Sequence, residues 1–460
     1  MRILVPLLAV LVVLVVAGCA AATPAPRQHE TRSSPKPAPR LRDVLVTVVD
    51  GDTGRRVKGA RVRIGNRAAR TNAGGVAAVP LRRRTALTVS VTKPGYATST
   101  IRLQFRKHPR SAIRLYQLRL QWPAYGVTPQ RTQAQSDIRL RPPFEIVWSR
   151  GIGSLIEFPA VVWQNVAYIG NAQGTIHALE LKRGKLVWRY DPPGGKMASS
   201  PAVFGDELLV HGMDGVVRVL DRATGKLRWQ VVIGSPIESS PVIANGVDFF
   251  GAWNGRIYAL DLKRRALRWT ATSGYKITSS AALAGDRLYI GDYGGRLLAL
   301  SQRTGAVRWS RSVGGRIYGT PAVAAGRVFV PSSTGGSLTA FSTSGRYLWV
   351  KHTGAYVYSS PAVWHGRVLF GSYNGLLYCV SATSGATLWT ASAGGPVSGA
   401  AVVVDGVAYA GSTHGRITGV DIPSGRTLLR FPHGEYVPVS GNGRLLLLHG
   451  YSRLYAVRPR

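Results

Sequence analysis

Tryptophan recurs in this chain about every 40 residues, at Trp148, Trp188, Trp229, Trp269, Trp309, Trp349 and Trp389, with Leu429 in the eighth place. A fixed period of this length marks a repeat array, in which each unit buries its apolar face only against its neighbours. One unit, residues 239–269, holds four short alternating segments: Val242 and Ile243, then 247–251, 256–261 and 267–269, with turn residues between them. No helix cap or helical period interrupts the series. Four strands in this space are the content of one β-propeller blade.

The turn residues repeat with the same phase. Gly174, Gly215, Gly255, Gly295, Gly336, Gly375 and Gly415 fall between the second and third strands, where a hairpin needs a positive φ that a Cβ would oppose. Thr-Gly or Ser-Gly pairs such as Thr224–Gly225 and Ser384–Gly385 close the next hairpin, and the Trp then follows on the outermost strand. There its large flat ring is expected to pack between neighbouring blades. Seven complete units run over 152–431. An eighth, with segments 437–440, 445–448 and 454–457, lacks its Trp strand. Residues 145–148 carry a Trp strand with no inner strands before it, so this strand around Trp148 is predicted to complete the last blade and remove two raw sheet edges. The prediction is an all-β chain whose residues 144–460 form an eight-bladed propeller of four-stranded blades.

The residues before the array divide into four stretches. An apolar run over 3–17 after Met1 and Arg2 reads as an export signal over 1–18. Leu14, Val15, Val16, Ala17, Gly18 and Cys19 resemble a bacterial lipobox, which implies lipidation of Cys19. The other reading is a signal anchor, since residues 3–22 could just span a bilayer. Both hold the body outside the cytoplasm, on the extracytoplasmic side of a bacterial cell envelope. Residues 19–41 are Pro-, Ala- and Arg-rich and are expected to be a disordered spacer. Residues 42–118 alternate with period two and predict a small Greek-key β-sandwich. Asp50, Gly51, Asp52, Thr53 and Gly54, then Gly59, Ala60, Arg61 and Val62, then Gly95 and Tyr96, resemble the carboxypeptidase-regulatory-like or PEGA-like domain. That resemblance implies an accessory role without chemistry. Residues 119–143 are a connector. Within it Trp122, Tyr125, Gly126, Arg131 and Thr132 resemble the lead-in to pyrroloquinoline-quinone-type propellers.

The repeat itself resembles the pyrroloquinoline-quinone (PQQ)-like family, most closely at residues 221–229, where Asp221, Thr224, Gly225 and Trp229 stand. Two branches of that family are known. Quinoprotein dehydrogenases hold the quinone in the channel beside vicinal cysteines, Ca²⁺ and a catalytic Asp; BamB-type lipoproteins use the same blades as a protein-binding platform. This chain has two cysteines, Cys19 and Cys379, and 21 acidic residues in all. Ca²⁺ requires six or more oxygen ligands. No cofactor or metal is therefore expected, with PQQ and Ca²⁺ kept as the implied alternative. Cys379 aligns with Ala259 and Ala299 of sister repeats and reads as a small buried residue. His177, His211, His352, His365, His414, His433 and His449 lack metal-type spacing and are expected to be hydrogen-bonded surface groups.

The formal charge of +38 predicts attraction to anionic surfaces. For an exported, tethered chain these are lipids and wall polymers, not nucleic acid. Where each repeat enters its innermost strand, the phase gathers Lys276, Arg316, Tyr318, Tyr356 and Tyr358 on one channel mouth, as a basic aromatic arc suited to an anionic polymer, a sugar or a peptide. The expectation is a monomeric, non-enzymatic envelope scaffold for envelope proteins or anionic wall polymers. A PQQ-dependent dehydrogenase and a cell-wall carbohydrate sensor or adhesin are the alternatives.

Overall fold

The computed structural model describes residues 42–81, 86–104 and 110–460. Cys19, the spacer and the basic run Arg82, Arg83 and Arg84 lie outside the described residues. The described chain is all-β; its one helical element among them is a single 3-10 turn, Leu118–Leu120. The first strands build two four-stranded sheets. One orders Val76–Leu81, Arg42–Asp50, Arg110–Gln117 and Tyr96–Ala97; the other orders Arg67–Arg70, Arg61–Ile64, Ala86–Thr92 and Ser99–Gln104. Their period-two alternation turns Val44, Val46, Val48, Val62, Ile64, Val89, Val91, Ile113 and Leu115 into one shared core. The turn after the first strand is tied by Asp50, whose carboxylate accepts from the amides of Asp52 and Thr53, from Tyr96 and from Gln117.

From Val161 onward the chain lays down one antiparallel sheet per repeat. Counting the sheet that closes with Phe144–Gly151, the array holds eight: seven are four-stranded, and the seventh in order gains a fifth strand, Ala134–Gln135. Innermost strands of most successive sheets meet, and Val161–Trp163 of the first also meets Val439–Gly441 of the eighth. Phe144–Gly151 pairs antiparallel with Arg453–Pro459, setting Trp148 opposite Ala456. Sequence-distant segments thus share one sheet, which covers the edge each would otherwise expose.

The tryptophans lock sheet to sheet. Trp148 Nε1 donates to Leu181 O (2.8 Å), Trp188 to Arg222 O, Trp269 to Gln302 O, Trp309 to Thr343 O, Trp349 to Ala382 O and Trp389 to Ile422 O, each acceptor lying in the following sheet. Each ring lies on the positive-φ glycine of that sheet's last hairpin. At Gly385 (φ +72°) an added Cβ would come within 2.6 Å of the Trp349 ring, so glycine is required by contact as well as by φ. Trp229 is the exception. The position that should carry its glycine is Arg265 (φ 57°), whose guanidinium stacks 5.6 Å from the Trp229 ring centroid, while Trp229 Nε1 reaches Glu207.

The Ser-Pro starts of the innermost strands form a second lock. The Ser240 hydroxyl accepts from Ser200 N, Ser280 from Ser240 N, Thr320 from Ser280 N and Ser360 from Thr320 N, at 2.8–3.2 Å and 40 residues apart each time. Buried amides that a strand start would leave unpaired are satisfied by the neighbouring sheet. At position 400 the repeat has Ala400 and the girdle stops; on the other side of the gap, Ala160 N donates to His449 Nε2 at 3.2 Å.

Candidate binding site at the channel mouth

Residues 122–135, expected to connect, instead lie across one end of the innermost strands. Trp122 exchanges backbone hydrogen bonds with Val162, and the carbonyls of Pro123, Pro129, Gln130, Thr132 and Gln133 accept the amides of Val203, Leu283, Val323, Val363 and Val403. The segment therefore joins six of the eight sheets. At its centre Arg131 is buried, 1% exposed, and ends on backbone carbonyls alone: Nε to Ala281 O (3.0 Å), Nη2 to Ser240 O and Pro241 O, and Nη1 to Tyr125 O. Burial pulls its guanidinium down to about 10. Next to it the buried Tyr125 donates to Ser360 Oγ and packs edge-on against Phe158. Together they make the floor of the channel.

Above this floor is a cavity of about 160 Å³, lined among others by Tyr125, Glu157, Glu238, Thr278, Tyr318, Tyr358 and Tyr436. Its rim is a continuous aromatic arc. Ring centroids lie 4.5 Å apart for Tyr293 and Tyr318, 4.9 Å for Tyr318 and Tyr358, 4.9 Å for Tyr358 and Tyr373, and 5.8 Å for Tyr356 and Tyr358. Lys276 Nζ sits 3.2 Å from the Trp253 ring centroid and 4.9 Å from that of Tyr293; Arg316 lies 5.8 Å from Tyr293. All five expected residues, Lys276, Arg316, Tyr318, Tyr356 and Tyr358, thus fall in one contact network. Arg316 and Tyr356 are exposed, whereas Tyr318 and Tyr358 are half-buried.

Sequence reasoning missed three of the eight rim residues. Trp253, Tyr293 and Tyr373 come from the hairpin between second and third strands, which bends over the mouth because its amide bonds back: Trp253 N to Pro236 O, Tyr293 N to Lys276 O and Tyr373 N to Tyr356 O. The signal was present as an aromatic two residues ahead of the turn glycine in three repeats. Two carboxyls beside the mouth were not singled out either, although the phase of the repeat puts Glu238 there. Glu238 accepts from Trp253 Nε1 at 3.1 Å, and burial raises its carboxyl. Burial, reinforced by Glu238, pushes Glu157 up to about 7.

Two histidines depart from the surface expectation. His211 is fully buried, with Nε2 2.8 Å from Asp248 Oδ2 and Nδ1 2.7 Å from Ser239 O. His449 is buried beside Ser440, and burial pulls its ring down to about 4. Both serve the walls; neither lines the cavity. Cys379 is buried, with its thiol pushed up to about 11 by burial.

The model of the family described as outer membrane protein assembly factor BamB matches residues 141–252, 253–358 and 354–459. The chain belongs to that family. A curated relative, the 1-butanol dehydrogenase (cytochrome c) of Thauera butanivorans, is 30% identical over 131 residues, 23% of this chain and 19% of its own. The curated matches cover only 19–24% of those relatives' length. Among solved structures, BamB from Moraxella catarrhalis superposes with a TM-score of 0.59 at 19% identity, covering 69% of this chain and 98% of that one. The quinohemoprotein alcohol dehydrogenase of Comamonas testosteroni superposes at 0.64 with 15% identity, covering 74% and 80%. At these identities the likeness is one of fold.

Proposed function

We propose that this protein is a non-enzymatic scaffold of the bacterial cell envelope, in which eight blades close into one ring and present the aromatic, basic mouth to an envelope partner. In this reading Cys19 carries the lipid that tethers the chain outside the cytoplasm, residues 19–41 are the spacer, and the two N-terminal sheets are a carboxypeptidase-regulatory-like sandwich. The observation that carries the proposal is the asymmetry of the channel. One end is sealed by the chain's own Tyr125 and Arg131; the other offers Arg316, Tyr356 and their neighbours to solvent. Rigid aromatic faces with interspersed cations are the composition of a recognition surface. Membership of the BamB family supports a protein partner in envelope assembly.

The donor set of the cavity does not fit a Ca²⁺-held quinone. Its carboxyls are Glu157 and Glu238, the latter engaged by Trp253, and among the described residues no three His, Cys, Asp or Glu side chains converge. Ca²⁺ takes six to eight oxygens, several of them charged. The similarity to alcohol dehydrogenases still makes the enzyme reading worth testing. Purified protein mixed with PQQ and Ca²⁺ is expected to give neither quinone absorbance nor dye-linked alcohol oxidation. Either signal would favour the dehydrogenase.

The scaffold reading is tested by capture from solubilised envelope fractions on the immobilised full chain, at low and high salt, with the wild type and with Arg316→Ala/Tyr356→Ala. A specific partner is retained at high salt by the wild type and lost from the double variant. Equal retention by both, or retention only at low salt, overturns the role of the mouth.

A further inference from the structure

The cavity beneath the rim has a polarity opposite to the surface around it. Glu238 is satisfied by Trp253 and lies near Lys276. Glu157 accepts no hydrogen bond among the described residues, and the charged group it feels is another carboxylate, Glu238. Across the same cavity Thr278 is 5% exposed, and its Oγ1 makes no hydrogen bond at full bonding distance, with the Tyr293 phenol beside it. Leaving a buried hydroxyl and a half-buried carboxyl unpaired is costly, so each favours a ligand that supplies donors. Tyr318, Tyr358, Tyr436 and Phe158 present aromatic walls to the same space.

We propose that this cavity takes a lysine side chain of a polypeptide partner, its ammonium donating to the Glu157 carboxylate and the Thr278 hydroxyl between the tyrosine faces. An ammonium has three donors on one compact centre, which suits two acceptors set in a narrow space. Its four-carbon stem lies along the aromatic walls, and the charge gains from their negative faces. An anion would meet two carboxyls. A neutral chain of equal length would leave both polar groups unpaired. The proposal rests on the reading of this mouth as a partner-binding surface and names the chemistry that the surface recognises.

The test is calorimetric titration of the full chain at pH 8 with Nα-acetyl-lysine methylamide and, separately, with the neutral Nα-acetyl-norleucine methylamide, whose side chain is the four-carbon stem of lysine without the ammonium. The lysine amide is expected to bind at least about tenfold more tightly than the norleucine amide, the difference that a charge-assisted hydrogen bond supports. Glu157→Gln, which keeps the shape, is expected to remove about the same factor, and Thr278→Val a smaller one. Equal binding of the two amides, no binding of either, or unchanged lysine affinity in Glu157→Gln overturns the proposal. If envelope capture still depends on Arg316 and Tyr356 while the lysine amide does not bind, the scaffold reading stands and the lysine site alone is lost. If capture also fails, the scaffold reading is lost with it.

Discussion

The two ends of the channel share the same repeat yet do opposite work, because the aperiodic residues 122–135 close one of them. At the sealed end, backbone amides, serine hydroxyls and one guanidinium are consumed by each other, and the side chains are small or buried. At the open end the repeat positions carry Lys276, Arg316, Tyr318, Tyr356 and Tyr358, whose contacts are with other side chains and with solvent. The difference teaches that a repeat separates stability from recognition by position within the unit. Positions that meet the neighbouring sheet are restricted, and positions at the loop ends are free to vary.

That division is open to direct attack. The largest effect is expected from Arg131→Met, which strips four buried carbonyl contacts from the floor and should cost about 3–5 kcal/mol in chemical denaturation. A loss under about 1 kcal/mol would mean that the floor is dispensable. Next is acid. Burial holds the His449 ring down to about 4, so it is neutral when folded and accepts from Ala160 N. Its contribution is intact above the unfolded value near 6.5 and lost as pH falls from there towards 4. About 3 kcal/mol should disappear over that window, less so in His449→Gln, and denaturation curves at pH 7 and 4.5 measure it. Ser280→Ala leaves the buried Ser240 amide without an acceptor and should cost about 1–2 kcal/mol. Tyr356→Ala, at the open end, should change stability by less than about 0.5 kcal/mol while weakening capture of a partner. A large destabilisation there would erase the contrast between the two ends.

Much of this architecture was readable from residues alone because the period exposes it. Trp148 one period before Trp188, with no inner strands ahead of it, pointed to the pairing now seen with Arg453–Pro459. The turn glycines and Ser-Pro starts marked strand ends in register. The five rim residues were legible by phase, since equal phase in a repeat means equal height in the channel. Trp253, Tyr293 and Tyr373 escaped because they belong to a different hairpin, and nothing in the linear order says that this hairpin folds over the mouth. The phase of the repeat puts Glu238 at the mouth, but its role and that of Glu157 could not be read, because a carboxylate acquires its character from what surrounds it. Arg265 stands where the other repeats carry a glycine, on the Trp229 ring, a contact that no local pattern announces.

Sequence by itself determined the unit: four strands, a docking tryptophan and its glycine, and a number of copies, because local propensity and a strict 40-residue spacing repeat the same instruction. Only the tertiary structure decided which end of the channel is closed. Residues 122–135 have no period and little local preference, and they take their course from carbonyls matched to strand amides up to about 270 residues away. Contacts of that kind are energetic facts about an assembled ring, and they leave no pattern in the chain that makes them.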